Sequence, residues 1–254
     1  MTFNLSARCA FCQYPIDSTD DTDPPEKYHS TTEVASFHKK DSTPWVCTYC
    51  EPELPRLDCV CATCGQDLPT NAALEKCGAC LTMAPAIDQL IAAFDYDFPI
   101  NQWLPQLKFN RHTALAHWFG KMLAQVAHAQ LVSPPDIIIP VPLHPKRLRS
   151  RGYNQAELIA RALLKHLPQS SSIMLDTHSC RRAIYTQAQS GLSLKQRQHN
   201  IKAAFESAQL QELHVAIVDD VYTSGSTVNA LAKSLKHAGA SRVTALVAAH
   251  AALK

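Results

Sequence analysis

The chain has little glycine, few aromatic residues and no long hydrophobic run. Of its 254 residues only 7 are Gly, and aromatics make up 7%, which excludes a glycine-repeat fibre. No stretch approaches the ~20 consecutive apolar residues of a bilayer-spanning helix. Met1 to Ser6 also lack the basic start and apolar core of an export signal. A cytoplasmic protein without a membrane span is therefore expected. The sharpest scarcity is local: residues 1 to 84 hold only 13 Leu, Ile, Val or Phe, with 12 acidic against 6 basic side chains. That is about 15%, below the ~20% at which a chain can bury enough apolar surface to fold. Residues 85 to 254 reverse the sign, with 18 basic and 10 acidic side chains, and suit anionic partners.

The apolar-poor segment carries nine of the ten cysteines. Eight fall in four Cys-x-x-Cys pairs: Cys9 and Cys12, Cys47 and Cys50, Cys61 and Cys64, Cys77 and Cys80. A two-residue gap lets both sulfurs of one turn reach the same ion. Two facing turns close a tetrahedral shell, so four pairs make up to two zinc sites. A structural zinc contributes on the order of 10–16 kcal/mol, enough to replace the missing core. The intervals favour pairing in sequence order, and a crossed arrangement in which the first and third pairs share one ion stays open. A redox dithiol is the weaker reading, because no βαβ pattern surrounds the pairs. Cys59 and Cys180 read as small buried side chains. Residues 13 to 46 form an insertion between the first two pairs. Its most polar part, 17 to 44, contains the alternative ligands His29 and His38 and reads as flexible.

From residue 86 the pattern becomes strand and helix in alternation. The segment IAAFDYDF suggests a strand, followed by helices over 101–109 and 113–129. DIIIPVPL at 136–143 reads as a buried strand, and HPKRLRSRGYN as the turn after it. Asn154 and Glu157 form a capping pair for a helix with Ile159, Ala162 and Leu163 on its apolar stripe. A short strand at 173–175 and a helix over 193–204 come next. HVAIVDDVYTSGSTVNALAKSLKHAGA then gives strand, loop and helix, with Val228, Leu231, Leu235 and Ala238 on one stripe and Gly239 as the stop. RVTALVAAH is the last strand. Alternation of this kind predicts an α/β fold with a mostly parallel sheet, whose ligands gather at the carboxyl ends of the strands.

At one such end Val215–Val218 delivers Asp219 and Asp220, directly before Thr223, Ser224, Gly225, Ser226 and Thr227 open a helix. Amides at a helix start carry partial positive charge, and the short hydroxyls add donors, so this loop suits a phosphate. The carboxylates would repel the phosphate but accept hydrogen bonds from sugar hydroxyls. A sugar phosphate satisfies both. The bland alternative is a solvated strand end followed by an ordinary N-cap.

Four apolar residues, two acids, then Thr, Gly and Thr resemble the phosphoribosyl pyrophosphate (PRPP) motif of type I phosphoribosyltransferases. The wider chain resembles the ComF/GntX family of that superfamily, described as competence proteins. The shared parts are the Cys-x-x-Cys pairs, Leu107-Lys108-Phe109, PVPLHPKRLRSRGYNQAELIA, RRAIYTQAQSGLSLKQRQHNIKAAF and VAIVDDVYTSGST. The resemblance implies a phosphoribosyltransferase domain over 85–254 behind a double zinc ribbon over 1–84. It also implies that Asp219 and Asp220 bind the ribose 2′ and 3′ hydroxyls and that Thr223 to Thr227 hold the 5′-phosphate. The turn 144–151, with Lys146, Arg147, Arg149 and Arg151, would hold pyrophosphate. A loop over 176–200, with Arg181, Arg182, Lys195 and Arg197, would close over the site. Magnesium would accompany PRPP. Thr223 stands where members acting on 6-oxopurines carry a carboxylate, which disfavours such an acceptor. Two functions follow from the likeness. One is phosphoribosyl transfer to an unknown acceptor. The other is an adaptor of DNA uptake in natural transformation, sensing PRPP or binding single-stranded DNA and docking a helicase-like ATPase or other competence proteins. Trp103, Trp118, Tyr153 and Tyr185 are too scattered to form a base-stacking platform.

Overall fold

Strand β6, His214–Tyr222, runs through the middle of a five-stranded sheet ordered β1-β7-β6-β2-β3. The structure is a computed structural model that describes residues 8–16, 45–69, 75–109, 112–168, 170–182 and 205–251. Residues 17–44 of the expected flexible insertion 13–46, the helix over 193–204, and His29, His38, Tyr185, Lys195 and Arg197 lie outside those residues, whereas Trp45 and Val46 at the insertion's end are buried. The other strands are β1 (Gln89–Asp95), β2 (Ile137–Pro140), β3 (Met174–Leu175) and β7 (Arg242–His250). Every pairing in the sheet is parallel, with Pro140 opposite Val218 and Val218 opposite Leu246. Both faces of the central strands are covered, which is why they read as unbroken apolar runs.

One face is packed by α2 (Ile100–Phe109), α3 (Ala114–Gln130) and α5 (Gln155–His166). Trp103, Leu107, Trp118, Phe119, Ile159 and Leu163 meet Ile91, Phe94, Ala216 and Val218 there. Trp118 stacks on Phe94 at 5.3 Å and Trp103 meets it edge-on at 5.6 Å, so both indoles belong to the core. The opposite face is packed by α6 (Ser226–His237), which presents Val228, Leu231 and Leu235 to Val215, Ile217, Val243 and Val247. Gly239 follows that helix at φ +100°, as the sequence predicts. A two-stranded antiparallel ribbon, β4 (Cys180–Arg182) with β5 (Phe205–Ser207), lies outside the main sheet.

The expected turn after β2 is instead a helix, α4 (Pro145–Arg151). Proline at its first position fixes φ and needs no hydrogen-bond partner, while His144 Nδ1 caps it by accepting the Lys146 amide at 3.2 Å. The expected capping pair on α5 is half realised. Asn154 Oδ1 accepts the Ala156 amide at 3.1 Å, but Glu157 turns outward and accepts from Arg161 at 2.7 Å.

The cysteine-rich segment lies along the free edge of β1 and ends in the short helix α1 (Gly78–Thr82), which begins after Cys77 and contains Cys80. Leu90 N–H donates to Ala62 O at 2.9 Å, Asp95 N–H to Pro55 O at 3.0 Å, and the Arg56 guanidinium to Ala93 O at 3.1 Å. An open parallel edge is thereby covered. Cys9, Trp45, Val46, Cys47 and Leu54 belong to the same apolar cluster as Phe94 and Trp118. Cys180 is buried as expected, whereas Cys59 is half-exposed in a groove of about 220 Å³ with Arg56, Asp67 and His250.

Candidate functional site

The apolar stretch of β6 stops at Asp219, where the pairing with β2 has already ended and the carboxyl edge of the sheet opens. Asp220 is buried and Asp219 half-buried. Each carboxylate accepts the amide of the next residue, Asp219 Oδ1 from Asp220 at 2.9 Å and Asp220 Oδ1 from Val221 at 2.8 Å. Burial, and then the neighbouring charge of Asp220, push the Asp219 carboxyl well above the usual carboxylate range. Such a cost is typical of a binding site rather than of a structural strand end.

Gly225 closes the loop that follows and stands as N-cap of α6 with φ +66°, the left-handed region that glycine tolerates. Space demands glycine as well, since a β-carbon here would overlap the Tyr222 hydroxyl and lie 2.5 Å from its Cζ. The Ser224 and Ser226 hydroxyls are 3.0 Å apart at the mouth of the loop. Thr223, Ser224 and Ser226 are thus exposed at the start of a twelve-residue helix, where the first amides have no partner within the helix.

Cations approach from two elements. His144, at the start of α4, has its pKa lowered by desolvation and then by the charges of Lys146, Arg182 and Arg147, so all three lie within electrostatic reach of it. Arg182 lies within electrostatic reach of both Arg147 and Asp219, and burial followed by the Arg147 charge lowers its pKa. Arg181, the neighbour on β4, is exposed. The Arg151 guanidinium donates to Gln155, so it holds the junction between α4 and α5. The RGYN segment is the same junction. Gly152 ends α4 in the left-handed region, the Tyr153 hydroxyl donates to Leu107 O, and Asn154 Nδ2 donates to Val141 O at 3.0 Å while its Oδ1 caps α5. These residues fasten α4, α5 and α2 at the end of β2.

Sequence reasoning passed over Lys108 as a site residue. Its Nζ lies 2.9 Å from Asp220 Oδ2, and its charge also acts on Asp219. The Leu107-Lys108-Phe109 segment was visible as a motif, but nothing local in it pointed to the acidic pair.

The cysteines form two groups, Cys9 with Cys12, Cys47 and Cys50, and Cys61 with Cys64, Cys77 and Cys80. This is the sequence-order pairing. Within each group the sulfurs lie within 4.8 Å of one another; Cys12 and Cys47 are 3.9 Å apart, and Cys64 and Cys77 3.6 Å. A tetrahedron with bonds of ~2.3 Å has edges of about 3.8 Å, so each group could hold one metal ion. Phe11 and Cys47 donate amides to Cys9 Sγ at 3.4 and 3.3 Å. At Cys61 burial would raise the thiol pKa, but amides of Cys77, Cys64 and Thr63 outweigh it and bring it down to about 6. Such amide-to-sulfur bonds favour thiolates, the form a metal requires.

No family model matches the chain. Among known proteins it is 34% identical over 203 residues to the DNA utilization protein YhgH of Escherichia coli K12, covering 78% of this chain and 87% of that one. It is 31% identical over 212 residues to competence protein F of Haemophilus influenzae, with the same coverage. Competence protein ComFC of Bacillus subtilis is 22% identical, over 76% of this chain and 79% of that one. Similar solved structures include an allosteric regulatory enzyme of purine biosynthesis, at TM-score 0.34 and 20% identity over 53% of this chain and 25% of that one. Another is a purine phosphoribosyltransferase of Pyrococcus horikoshii, at TM-score 0.27 and 18% identity over 50% of this chain and 68% of that one. No helix among the described residues is long and apolar enough to cross a membrane. With its paired acids, its glycine-centred loop and its two four-cysteine groups, the chain belongs to the ComF family of competence and DNA-utilization proteins.

Proposed function

We propose that this chain binds PRPP at the end of β6 and transfers its phosphoribosyl group to an acceptor in support of DNA uptake and use. The observation that carries the reading is the succession of an acidic pair, its second member buried, a left-handed glycine and a helix start at one sheet edge. Asp219 and Asp220 accept hydrogen bonds from the ribose hydroxyls, and the amides and hydroxyls of Thr223 to Thr227 take the 5′-phosphate. Lys146 and Arg147 on α4, with Arg182 on β4, face the pyrophosphate. Their charge favours departure of that group from the anomeric carbon as a nucleophile displaces it. Arg151 and the exposed Arg181 are further candidates for the same anion. Magnesium enters with PRPP, as part of the substrate, and offsets the charge of its pyrophosphate.

The role in DNA use rests on the names of the relatives, which refer to competence and DNA utilization. Trp103 and Trp118 lie in the core and the Tyr153 hydroxyl is bonded to Leu107, which speaks against base stacking by these rings. The two cysteine groups would hold structural zinc. We take residues 1–84 as the metal-dependent module and 85–254 as the phosphoribosyltransferase-like domain, in a chain expected to work in the cytoplasm.

The test is calorimetric titration with ribose 5-phosphate and PRPP, beside pyrophosphate release with a panel of bases and single-stranded DNA binding at two salt concentrations. Replacing Asp219 and Asp220 together by Asn should abolish sugar-phosphate binding. Unchanged binding would defeat the assignment. PRPP binding without release would make the chain a PRPP-sensing adaptor that docks an uptake ATPase.

A further inference from the structure

We propose that Lys108 is the built-in counter-ion of the acidic pair, so that the sugar-phosphate end of the ligand binds without a divalent cation. The inference rests on the PRPP reading above and concerns how that site handles charge. Two adjacent carboxylates at the end of an apolar strand repel each other, and their oxygens are the acceptors offered to a sugar diol. A cation must therefore stand beside them, and Lys108 Nζ does so, 2.9 Å from Asp220 Oδ2.

The ammonium is held there by the fold. It leaves the last turn of α2, beside Trp103, Leu104 and Leu107, all fully buried. The Tyr153 hydroxyl clasps that turn at Leu107 O. The Lys108 side chain is 27% exposed and that of Asp220 6%, so the pair is largely shielded from bulk water. Among the described residues, further charges near the acids come from β4 and α4, where Arg182 lies near Asp219 and Arg147 near Arg182.

Asp220 Oδ2 accepts no hydrogen bond of good alignment among the described residues, despite its buried position. Its contact with Lys108 is one of charge. A lone pair is thus left for a ligand hydroxyl, while the position a divalent ion would take against this oxygen is held by an ammonium. Placing a doubly charged ion there would oppose it to Lys108 and Arg182. Lys108 is a positioning residue in this account: its ammonium, 2.9 Å from Asp220 Oδ2, offsets the charge of the acceptors and need not touch the sugar.

The experiment is calorimetric titration of the full chain with ribose 5-phosphate, which lacks the pyrophosphate, in EDTA and in magnesium, for the native protein, Lys108→Gln and Lys108→Arg. Native affinity should be equal in the two buffers. Lys108→Gln should lose about thirtyfold or more in EDTA, as expected on removing one partner of a shielded charge pair, and regain part of it with magnesium. Lys108→Arg should behave as native, and circular dichroism should show all three folded. A native protein that binds only with magnesium, or a Lys108→Gln protein that binds normally in EDTA, would overturn the proposal. A native protein that binds ribose 5-phosphate in neither buffer would overturn the PRPP reading itself.

Discussion

Replacing Gly225 by Ala should separate the phosphate loop's shape from the protein's stability. Two costs arise. At φ +66° an L-residue with a β-carbon costs roughly 1–2 kcal/mol. The new atom would also lie 2.5 Å from Tyr222 Cζ, so ring or loop must move about 1 Å to restore ordinary contact. The ring is poorly placed to move: Tyr222 is buried and stacks on His250, with centroids 5.6 Å apart and planes 23° off parallel. The loop should therefore shift, and amides aimed at a phosphate lose bonds that tolerate only a few tenths of an ångström. Charge-assisted bonds contribute about 1.5–3 kcal/mol each, so losing even one to two lowers ribose 5-phosphate affinity by about a hundredfold. Stability should fall by roughly 1–3 kcal/mol, a melting shift of several degrees. Calorimetric titration and scanning calorimetry on the same samples measure the two effects. Tyr222→Ala combined with Gly225→Ala removes the overlap and should show a favourable coupling energy against the single variants. Affinity within about threefold of native for a folded Gly225→Ala protein, under 1 kcal/mol, would refute the reasoning.

Asp219→Asn should stabilise the chain at neutral pH by on the order of 1 kcal/mol while abolishing sugar-phosphate binding, because it removes a carboxylate held out of water beside another. The sign is definite: the folded pKa lies well above that of a free carboxyl, so the folded protein keeps this proton longer and stability falls as pH rises from the ordinary carboxylate range. Melting curves across that range should show this component in the native protein and lack it in Asp219→Asn. Elemental analysis should give two zinc ions per chain, and Cys61→Ser should reduce that to one. Stripping the metal with a strong chelator should cause cooperative loss of stability, read by melting, since β1 loses its edge cover as well as the ribbons. Arg182→Ala should weaken PRPP more than ribose 5-phosphate in titration; equal weakening would place Arg182 away from the pyrophosphate.

The sheet and its loop were legible because their chemistry is contiguous. Val215 to Thr227 holds strand, acids, phosphate loop and helix start in one stretch, so hydrophobic pattern and turn chemistry coincide. The second cysteine set was legible for a similar reason, its two turns lying close in sequence, whereas the insertion at 13–46 separates the turns of the first set and left a crossed arrangement open until the structure brought them together. Helix α4 was read as a turn because Pro145 and four cations in seven residues mimic a solvated loop, and a histidine cap gives no usual signal. Lys108 was missed because its partner lies far along the chain, and a lysine ending a helix ordinarily needs no explanation beyond the helix dipole. Arg182 rather than Arg181 faces Asp219 because of the pleat of β4, whose register depends on a ribbon partner that composition does not reveal.

The poverty of the first segment in apolar residues has a second answer besides metal. Trp45, Val46 and Leu54 do not close a core of their own; they join the one built by Phe94 and Trp118. Arg56 lies over the Phe94 ring at 4.3 Å while donating to the strand edge, a cation held by stacking and a carbonyl at once. Gly65, between the third and fourth cysteine pairs, comes so close to the sheet that a β-carbon would lie 2.8 Å from Leu90 and 2.9 Å from His250. His250 in turn stacks on Tyr222, the residue whose hydroxyl leaves no room beside Gly225. Contact therefore runs unbroken from the second cysteine group through His250 and Tyr222 to the phosphate loop. The apolar-poor segment is thus fastened in two ways: its few large side chains enter the neighbouring core, and its cysteine turns brace the strand ends from which the loop departs.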